Sequence, residues 1–358
     1  MLNIALFGYG TVGRGVCDMV SSQKNMKVVK IFDRPSRYGE VGDLLETDAG
    51  KILSDPAVSA VVECLGGDEK AYPVITEALK NGKHVVTSNK ETVSKHLGEY
   101  LKLANEHGVS FQFEASVGGG IPLIYLLTVQ KDFDEIVSLE GILNGTDNFI
   151  LTKMQEENVP FLDAVKEAQL KGFAEKDPSA DLEGIDLVRK ANILTSLVSK
   201  KEVRNEDIPH FGIENIDAEI LEKIREMRRV LKETVRIEKQ GDSYSVLVVP
   251  CAYRSSSPLA GIRNETNAIL IEDRYNGELE YVGKGAGRYP TASAILSDLV
   301  RVQKRCAYPY PELEGKLGIA ASLSGTYLLF SQDGEMKKAV SPKKEELEQA
   351  KFVCLLEE

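Results

Sequence analysis

Residues 8–13 read Gly-Tyr-Gly-Thr-Val-Gly and follow an apolar run, residues 3–7, without a gap. That run reads as a buried strand, and Val16, Cys17, Met19 and Val20 beyond it supply the apolar face of a helix. A glycine turn wedged between strand and helix leaves few folds open. Gly8 permits the tight turn, Gly10 lets the backbone approach a pyrophosphate, and Gly13 lets helix and strand pack closely. The helix start then offers free N–H groups and positive dipole to phosphate. Alone the motif is weak, but the next strand, residues 27–32, ends at Asp33, twenty residues past Gly13, where a ribose-binding acid belongs. Gly8, Gly10, Thr11, Val12, Gly13 and Asp33 are therefore candidate cofactor contacts. Asp33 would repel a 2′-phosphate and accept hydrogen bonds from a free 2′-hydroxyl, which favours NAD. Arg34 and Arg37 keep NADP as the alternative.

Further strands are predicted at 58–65, 84–87 and 110–114, alternating with helices near 72–81 and 92–107. Such alternation implies an α/β fold, a Rossmann-type doubly wound parallel sheet. Ligands collect at the carboxyl ends of strands in such sheets, so Gly66, Ser88 and Lys90 join the candidate set. A surface lysine is the default for Lys90; its place at a strand tip favours a functional role. The second half reads as an α+β domain for substrate binding and dimerisation. Its strands are expected at 136–143, 233–238, 244–252, 267–271 and 278–282, and its helices at 147–157, 161–170 and 182–198. The expected organisation is 1–130 for the nucleotide domain, 131–282 for the second domain, and 283–305 for a return segment with a helix at 290–305. Residues 306–358 are expected to form a short C-terminal extension, with an interrupted strand at 319–330 and a helix at 343–351.

A length of 358 residues fits two domains. The net charge of −11 argues against nucleic acid or an anionic membrane surface as partner. No apolar run approaches the roughly 20 residues of a membrane span, and the start lacks a signal peptide. The five scattered cysteines form no CxxC and suit reduced thiols in a cytoplasmic protein.

The run 168–190, AQLKGFAEKDPSADLEGIDLVRK, carries the second signal. Glu175, Asp177, Asp181, Glu183 and Asp186 precede Lys190, and Gly172, Pro178 and Gly184 break the run into a loop leading to a helix. Asp186 and Lys190, four apart, share one helix face. Several acids and one base can grip a small zwitterion. The bland reading, an acidic surface loop and an ordinary i,i+4 ion pair, is the commoner one when such a run stands alone; a nucleotide site in the same chain shifts the balance.

These segments together resemble the homoserine dehydrogenase family. The resemblance is carried by GYGTVGRGV at 8–16, VVECLGG at 61–67, VVTSNKE at 85–91, EASVGGGIP at 114–122, EGILNGTDNFIL at 140–151, the run 168–190 and GKGAGRYPTASAILSDL at 283–299. It implies reversible NAD(P)-dependent interconversion of L-homoserine and L-aspartate 4-semialdehyde, on the route from aspartate to threonine and methionine. It implies Lys190 as the catalytic lysine, Lys90 as a second lysine at the site, and Asp186 orienting Lys190. Glu175 and Asp181 correspond to the family's substrate acids, Thr146 to a substrate-contacting position, and Gly287 to backbone contact near the nicotinamide. Backbone oxygens of Glu114, Val117, Gly119 and Ile121 correspond to a site for a monovalent cation such as sodium; as plain structure the same segment is a glycine hinge. A homodimer or homotetramer is expected. The chain departs from the family at Phe173, where tyrosine is frequent, and at Asp147, where threonine is common. No complete regulatory ACT domain is expected in the last fifty residues, and so no strong inhibition by threonine through one. An aspartate-semialdehyde dehydrogenase would need an activated cysteine, for which Cys17 in a helix and Cys64 in a buried strand are unsuited. A non-enzymatic dinucleotide sensor would not need the set Lys90, Glu175, Asp181, Asp186 and Lys190.

Overall fold

The first apolar run forms β1 (Leu2–Phe7), with Ile4, Ala5, Leu6 and Phe7 fully buried. It is the central strand of a sheet built from β2 (Met26–Phe32), β3 (Leu45–Glu46), β4 (Ala60–Glu63), β5 (His84–Thr87) and β6 (Phe111–Gln112). The order is β3-β2-β1-β4-β5-β6 and every pairing is parallel. That order reverses between β1 and β4, the crevice where such sheets take their ligand. The computed structural model describes residues 1–308, 310–319 and 324–357. The chain divides into two units: Met1–Val129 with Lys200–Glu202 and Ala286–Gly315, and Gln130–Ser199 with Val203–Gly285 and Lys316–Glu358.

In the first unit, helices Thr11–Ser21 and Arg288–Gln303 pack together on the sheet, and Gly15 lies in their contact. A Cβ on Gly15 would stand 2.8 Å from the Arg288 carbonyl oxygen. The predicted strand 110–114 is shorter than expected. Only Phe111–Gln112 pair, and Glu114–Ser116 turn into a 3₁₀ helix. The reason is local: the Glu114 N–H bonds the Asp298 carboxylate at 3.0 Å instead of a neighbouring strand.

The second unit is built on one mixed sheet, formed by β7 (Ile136–Ile142), β8 (Arg229–Gln240), β9 (Ser243–Arg254), β10 (Thr266–Asp273), β11 (Gly277–Lys284), β12 (Thr326–Phe330), β13 (Met336–Val340) and β14 (Phe352–Leu356). Its order is β11-β10-β7-β8-β9-β14-β12-β13. Strands β8 and β9, expected as two medium strands, form one long hairpin closed by Gly241-Asp242. Gly241 has φ 60°, as the first central residue of a type II′ turn requires. Helices Gly145–Glu157, Ile185–Ser199 and Ala218–Glu226 pack on β8 and β9. The helix expected at 182–198 is two pieces, Ser179–Leu182 and Ile185–Ser199, because Gly184 sits at φ 80° between them.

Within the expected extension, residues 320–323 of the interrupted strand lie outside the described residues. Thr326–Phe330 form β12, the short helix is Lys344–Glu348, and β14 was not anticipated. Strand β14 inserts between β12 and β9, pairing antiparallel with the first and parallel with the second. All five of its residues are buried. The end of the chain is thus part of the second sheet, not an appendage to it.

Candidate active site

In the first unit the glycine turn joins β1 to helix Thr11–Ser21, and two of its glycines are required by the protein's own packing. Gly8 has φ 100°, and a Cβ there would lie 2.6 Å from the Cys64 carbonyl oxygen. A Cβ on Gly13 would lie 2.1 Å from the Gly8 carbonyl oxygen. Gly10 differs, since a Cβ there meets no protein atom within 4 Å. A glycine at that position is therefore demanded by nothing inside the chain, as expected where a ligand backbone approaches. Thr11 and Val12 open the helix. Asp33, just past β2, accepts hydrogen bonds from the Tyr9 N–H at 2.6 Å and the Arg34 N–H at 2.7 Å. Arg34 Nε stands 3.9 Å from that carboxylate, while Arg37 is held by Glu40 at 2.6 Å.

At the ends of β4 and β5 a buried polar web fixes the other strand tips. Glu63 accepts from the Leu65 N–H at 2.6 Å and the Thr87 hydroxyl at 2.5 Å. Burial raises its pKa against those hydrogen bonds. Asn89 caps helix Lys90–Glu106 and donates to the Gly67 carbonyl at 2.9 Å. Gly66 turns at φ 71°, Ser88 follows β5, and Lys90 is the first helical residue, half-buried. Gly287, at φ 115°, precedes helix Arg288–Gln303.

The segment 114–121 is turned by Gly118 at φ 77° and Gly119 at φ 55°. The Glu114 carboxylate accepts from the Ile124 and Tyr125 N–H groups, each at 2.8 Å, and so caps helix Leu123–Gln130. A Cβ on Gly118 would stand 3.0 Å from the Ile121 carbonyl oxygen. Glu114 and Val117 are buried, as is Ile121. Cys17 is pushed up to about 11 by burial, and burial raises Cys64 further, so neither is poised as a thiolate nucleophile.

In the second unit the run 168–190 comes together around one buried amine. Lys190 Nζ donates to the Leu143 carbonyl at 2.5 Å and to Asp186 Oδ2 at 2.6 Å. The two side chains are 10% and 4% exposed, which excludes an ordinary surface ion pair. Asn144 is the hub. Its Nδ2 donates to Asp181 Oδ1 at 2.8 Å and to Asp186 Oδ2 at 3.0 Å, while its Oδ1 accepts from the Asp147 N–H at 3.1 Å and caps helix Gly145–Glu157. Asp181 is half-buried on the short helix Ser179–Leu182. Thr146 donates to the Phe173 carbonyl at 2.9 Å, and the Phe173 ring tilts against Phe149 at 5.1 Å. Glu175 is not drawn into this network; it is exposed in the loop, where its carbonyl accepts from Gln169 at 3.0 Å.

Sequence reasoning overlooked Asn144 and Glu233. For Asn144 a signal was there, because an asparagine directly before a helical run is a capping residue. Glu233, on β8, is buried beside the departure residue Asp147 and has no local signature.

A parallel sheet with this strand order and glycine cradle places the chain in a class, the NAD(P)-binding oxidoreductases. Comparison with known proteins narrows it. The family model described as "Homoserine dehydrogenase, NAD binding domain" matches residues 8–114, and that described as "Homoserine dehydrogenase" matches residues 122–300. A homoserine dehydrogenase of Bacillus subtilis (strain 168) is 35% identical over 316 residues, which are 85% of this chain and 73% of that protein. The crystal structure of a homoserine dehydrogenase from Thiobacillus denitrificans is similar with TM-score 0.85 at 31% identity, over 92% of this chain and 83% of that one. A hyperthermophilic archaeal homoserine dehydrogenase in complex with NADPH is similar with TM-score 0.74 at 27% identity, over 87% and 99% of the two chains. The chain belongs to the homoserine dehydrogenase family.

Proposed function

We propose that this protein interconverts L-homoserine and L-aspartate 4-semialdehyde with NAD(P), and that Lys190 exchanges the proton of the alcohol. The observation that carries this reading is the pair of short hydrogen bonds that fix the Lys190 amine. An amine with two N–H groups committed to Leu143 and Asp186 has one position left. In the ammonium form that position is a third N–H; in the neutral form it is the lone pair. Proton exchange with a substrate hydroxyl is thereby confined to one direction, which is the geometric requirement for general acid–base catalysis.

Lys90 is assigned as the second lysine of the site. Asp181 and Glu175 are assigned to the substrate ammonium. Of these, Asp181 is the better supported, since Asn144 already holds it in place, while exposed Glu175 requires the loop to fold over substrate. Thr146 and Phe173 line the same part of the second unit. Gly8, Gly10, Thr11, Val12, Gly13, Asp33, Gly66, Ser88 and Gly287 are assigned to the dinucleotide, which supplies the hydride acceptor. NAD is favoured over NADP because Asp33 stands just past β2, where a ribose-binding acid is expected, and Arg37 is occupied by Glu40.

A monovalent cation on the backbone oxygens of Glu114, Val117, Gly119 and Ile121 belongs to the same reading. The Glu114 carboxylate is consumed in capping a helix, so only main-chain oxygens are on offer. Replacing sodium by choline in the assay should lower turnover. A homodimer through the second unit's sheet is the expected assembly, checked by sedimentation.

The deciding experiment is homoserine-dependent reduction of NAD and of NADP. The expected result is turnover with both and a higher kcat/KM with NAD. Lys190→Ala should lose about 10²–10⁴-fold in kcat with nucleotide affinity nearly unchanged. Near-normal turnover in that variant would refute the role of Lys190.

A further inference from the structure

Directly behind the Lys190 network lie two carboxyl groups that the proposed reaction does not use. Asp147, on helix Gly145–Glu157, is 0% exposed, and Glu233, on β8, is 2% exposed. None of their four side-chain oxygens takes a hydrogen bond from any donor among the described residues. They touch each other. Four buried carboxyl oxygens without a donor leave ionised forms unstabilised, whereas a protonated carboxyl can donate to its neighbour, so the burial favours a proton on at least one. Burial raises both groups; Asp147 raises Glu233 further, while Asp147 is lowered by its bond with Glu233 and raised by Asp181 and Asp186. Asp147 faces Asp181, Asp186 and Lys190, and Glu233 faces Asp186 and Glu214. Backbone geometry keeps room for the pair: Gly184 breaks the helix here, and a Cβ on it would stand 3.3 Å from Glu233 Oε1.

Asp186 touches Lys190, Asp147 lies next to both, and Glu233 stands behind Asp147; only Asp181 and Asp186 of these acids are hydrogen-bonded to Asn144. Were all four ionised, they would leave a buried excess of negative charge that one ammonium cannot balance. We propose that Asp147 and Glu233 form a proton-holding carboxyl pair, a positioning element that limits the negative charge around Lys190 and so eases proton exchange with the substrate. The pair acts through Lys190 and does not touch substrate. This inference rests on Lys190 as the proton acceptor, and deepens that reading.

The test uses the whole enzyme and two isosteric variants. In Asp147→Asn/Glu233→Gln the pair carries no charge at any pH. The rising limb of homoserine oxidation with pH should then move about half to one pH unit lower, as removing negative charge beside the proton acceptor requires. In Glu233→Gln alone, the amide N–H replaces the carboxyl proton and Asp147 keeps its charge, so the limb should not move downward. An unmoved limb in the folded double variant, or an equal downward shift in both variants, overturns the proposal. Should the double variant fail to fold, infrared difference spectra at neutral pH decide. A protonated-carboxyl stretch of the wild type should vanish in Glu233→Gln or Asp147→Asn; its persistence in both rejects the pair. An active Lys190→Ala would instead remove the premise while leaving the infrared result standing, so the two failures are distinguishable.

Discussion

The proposed chemistry rests on a few side chains whose burial is the decisive fact. A buried lysine bonded to a buried aspartate costs desolvation that a surface pair does not, and removing one partner from such a pair typically costs about 3–5 kcal/mol. Asn144 sets the geometry of that pair, because it holds Asp181 and Asp186 with one amide and caps a helix with its carbonyl. Asn144→Ala should lose about 1 kcal/mol from the cap alone and leave two carboxylates without a shared donor. The expected outcome is a lower melting temperature together with a tenfold or greater loss in kcat/KM for homoserine. Calorimetry and steady-state kinetics on the same sample would check this, and a stability loss without the kinetic loss would reduce Asn144 to a cap.

Among elements, the strand–turn–helix around Gly8 and Gly13 is the one in which packing and ligand binding make the same demand. With 2.1 Å between a Cβ on Gly13 and the Gly8 carbonyl, Gly13→Ala must push helix Thr11–Ser21 away from β1. The free N–H groups at that helix start would then no longer meet a pyrophosphate. NADH binding, followed by fluorescence, should weaken by at least an order of magnitude, and retained affinity would show that the helix start is not the phosphate site. Gly10→Ala, which meets no protein atom, should leave stability unchanged and still impair nucleotide binding. The pair separates a packing glycine from a ligand glycine in one short turn.

For the whole molecule, the end of the chain is a structural partner of the second sheet. Tyr327, Leu329, Val353 and Leu355 enter one apolar cluster, while Leu328, Phe330, Phe352, Cys354 and Leu356 enter another. At about 1.5–3 kcal/mol per fully buried large side chain, their combined loss is as large as the roughly 5–15 kcal/mol that keeps a domain folded. Truncation after residue 319 should yield an aggregated or unfolded product by circular dichroism and size exclusion. Stability should also depend on pH through the buried acids. Burial holds Glu233 well above the usual carboxyl range, against about 4 in an unfolded chain, and the neighbouring Asp147 raises it further. The native state then binds more protons above about pH 4, so stability from this group is full below that pH and is lost as pH rises towards the raised folded value. In urea titrations, wild type should lose stability relative to Asp147→Asn/Glu233→Gln as pH rises from about 5 to about 8, by at most roughly 1.4 kcal/mol per unit for each proton. A constant difference would show that no proton is held there.

The local patterns settled a great deal unaided. A glycine turn between an apolar strand and a helix, with an acid twenty residues on, specifies a parallel nucleotide-binding sheet because backbone sterics and side-chain period act over short distances. The i,i+4 spacing of Asp186 and Lys190 likewise fixed their contact, since a helix puts such residues on one face. What sequence could not decide was which groups meet across elements. Asn144 became a hub only when helix Gly145–Glu157 packed near residues 181 and 186, and Glu233 met Asp147 only when β8 packed beneath that helix. The role of residues 326–356 was hidden for the same reason: an edge strand and a sheet insertion have the same apolar pattern along the chain. Long-range pairing alone distinguishes them, and burial then turns a string of ordinary acids into a charged cluster whose protons matter.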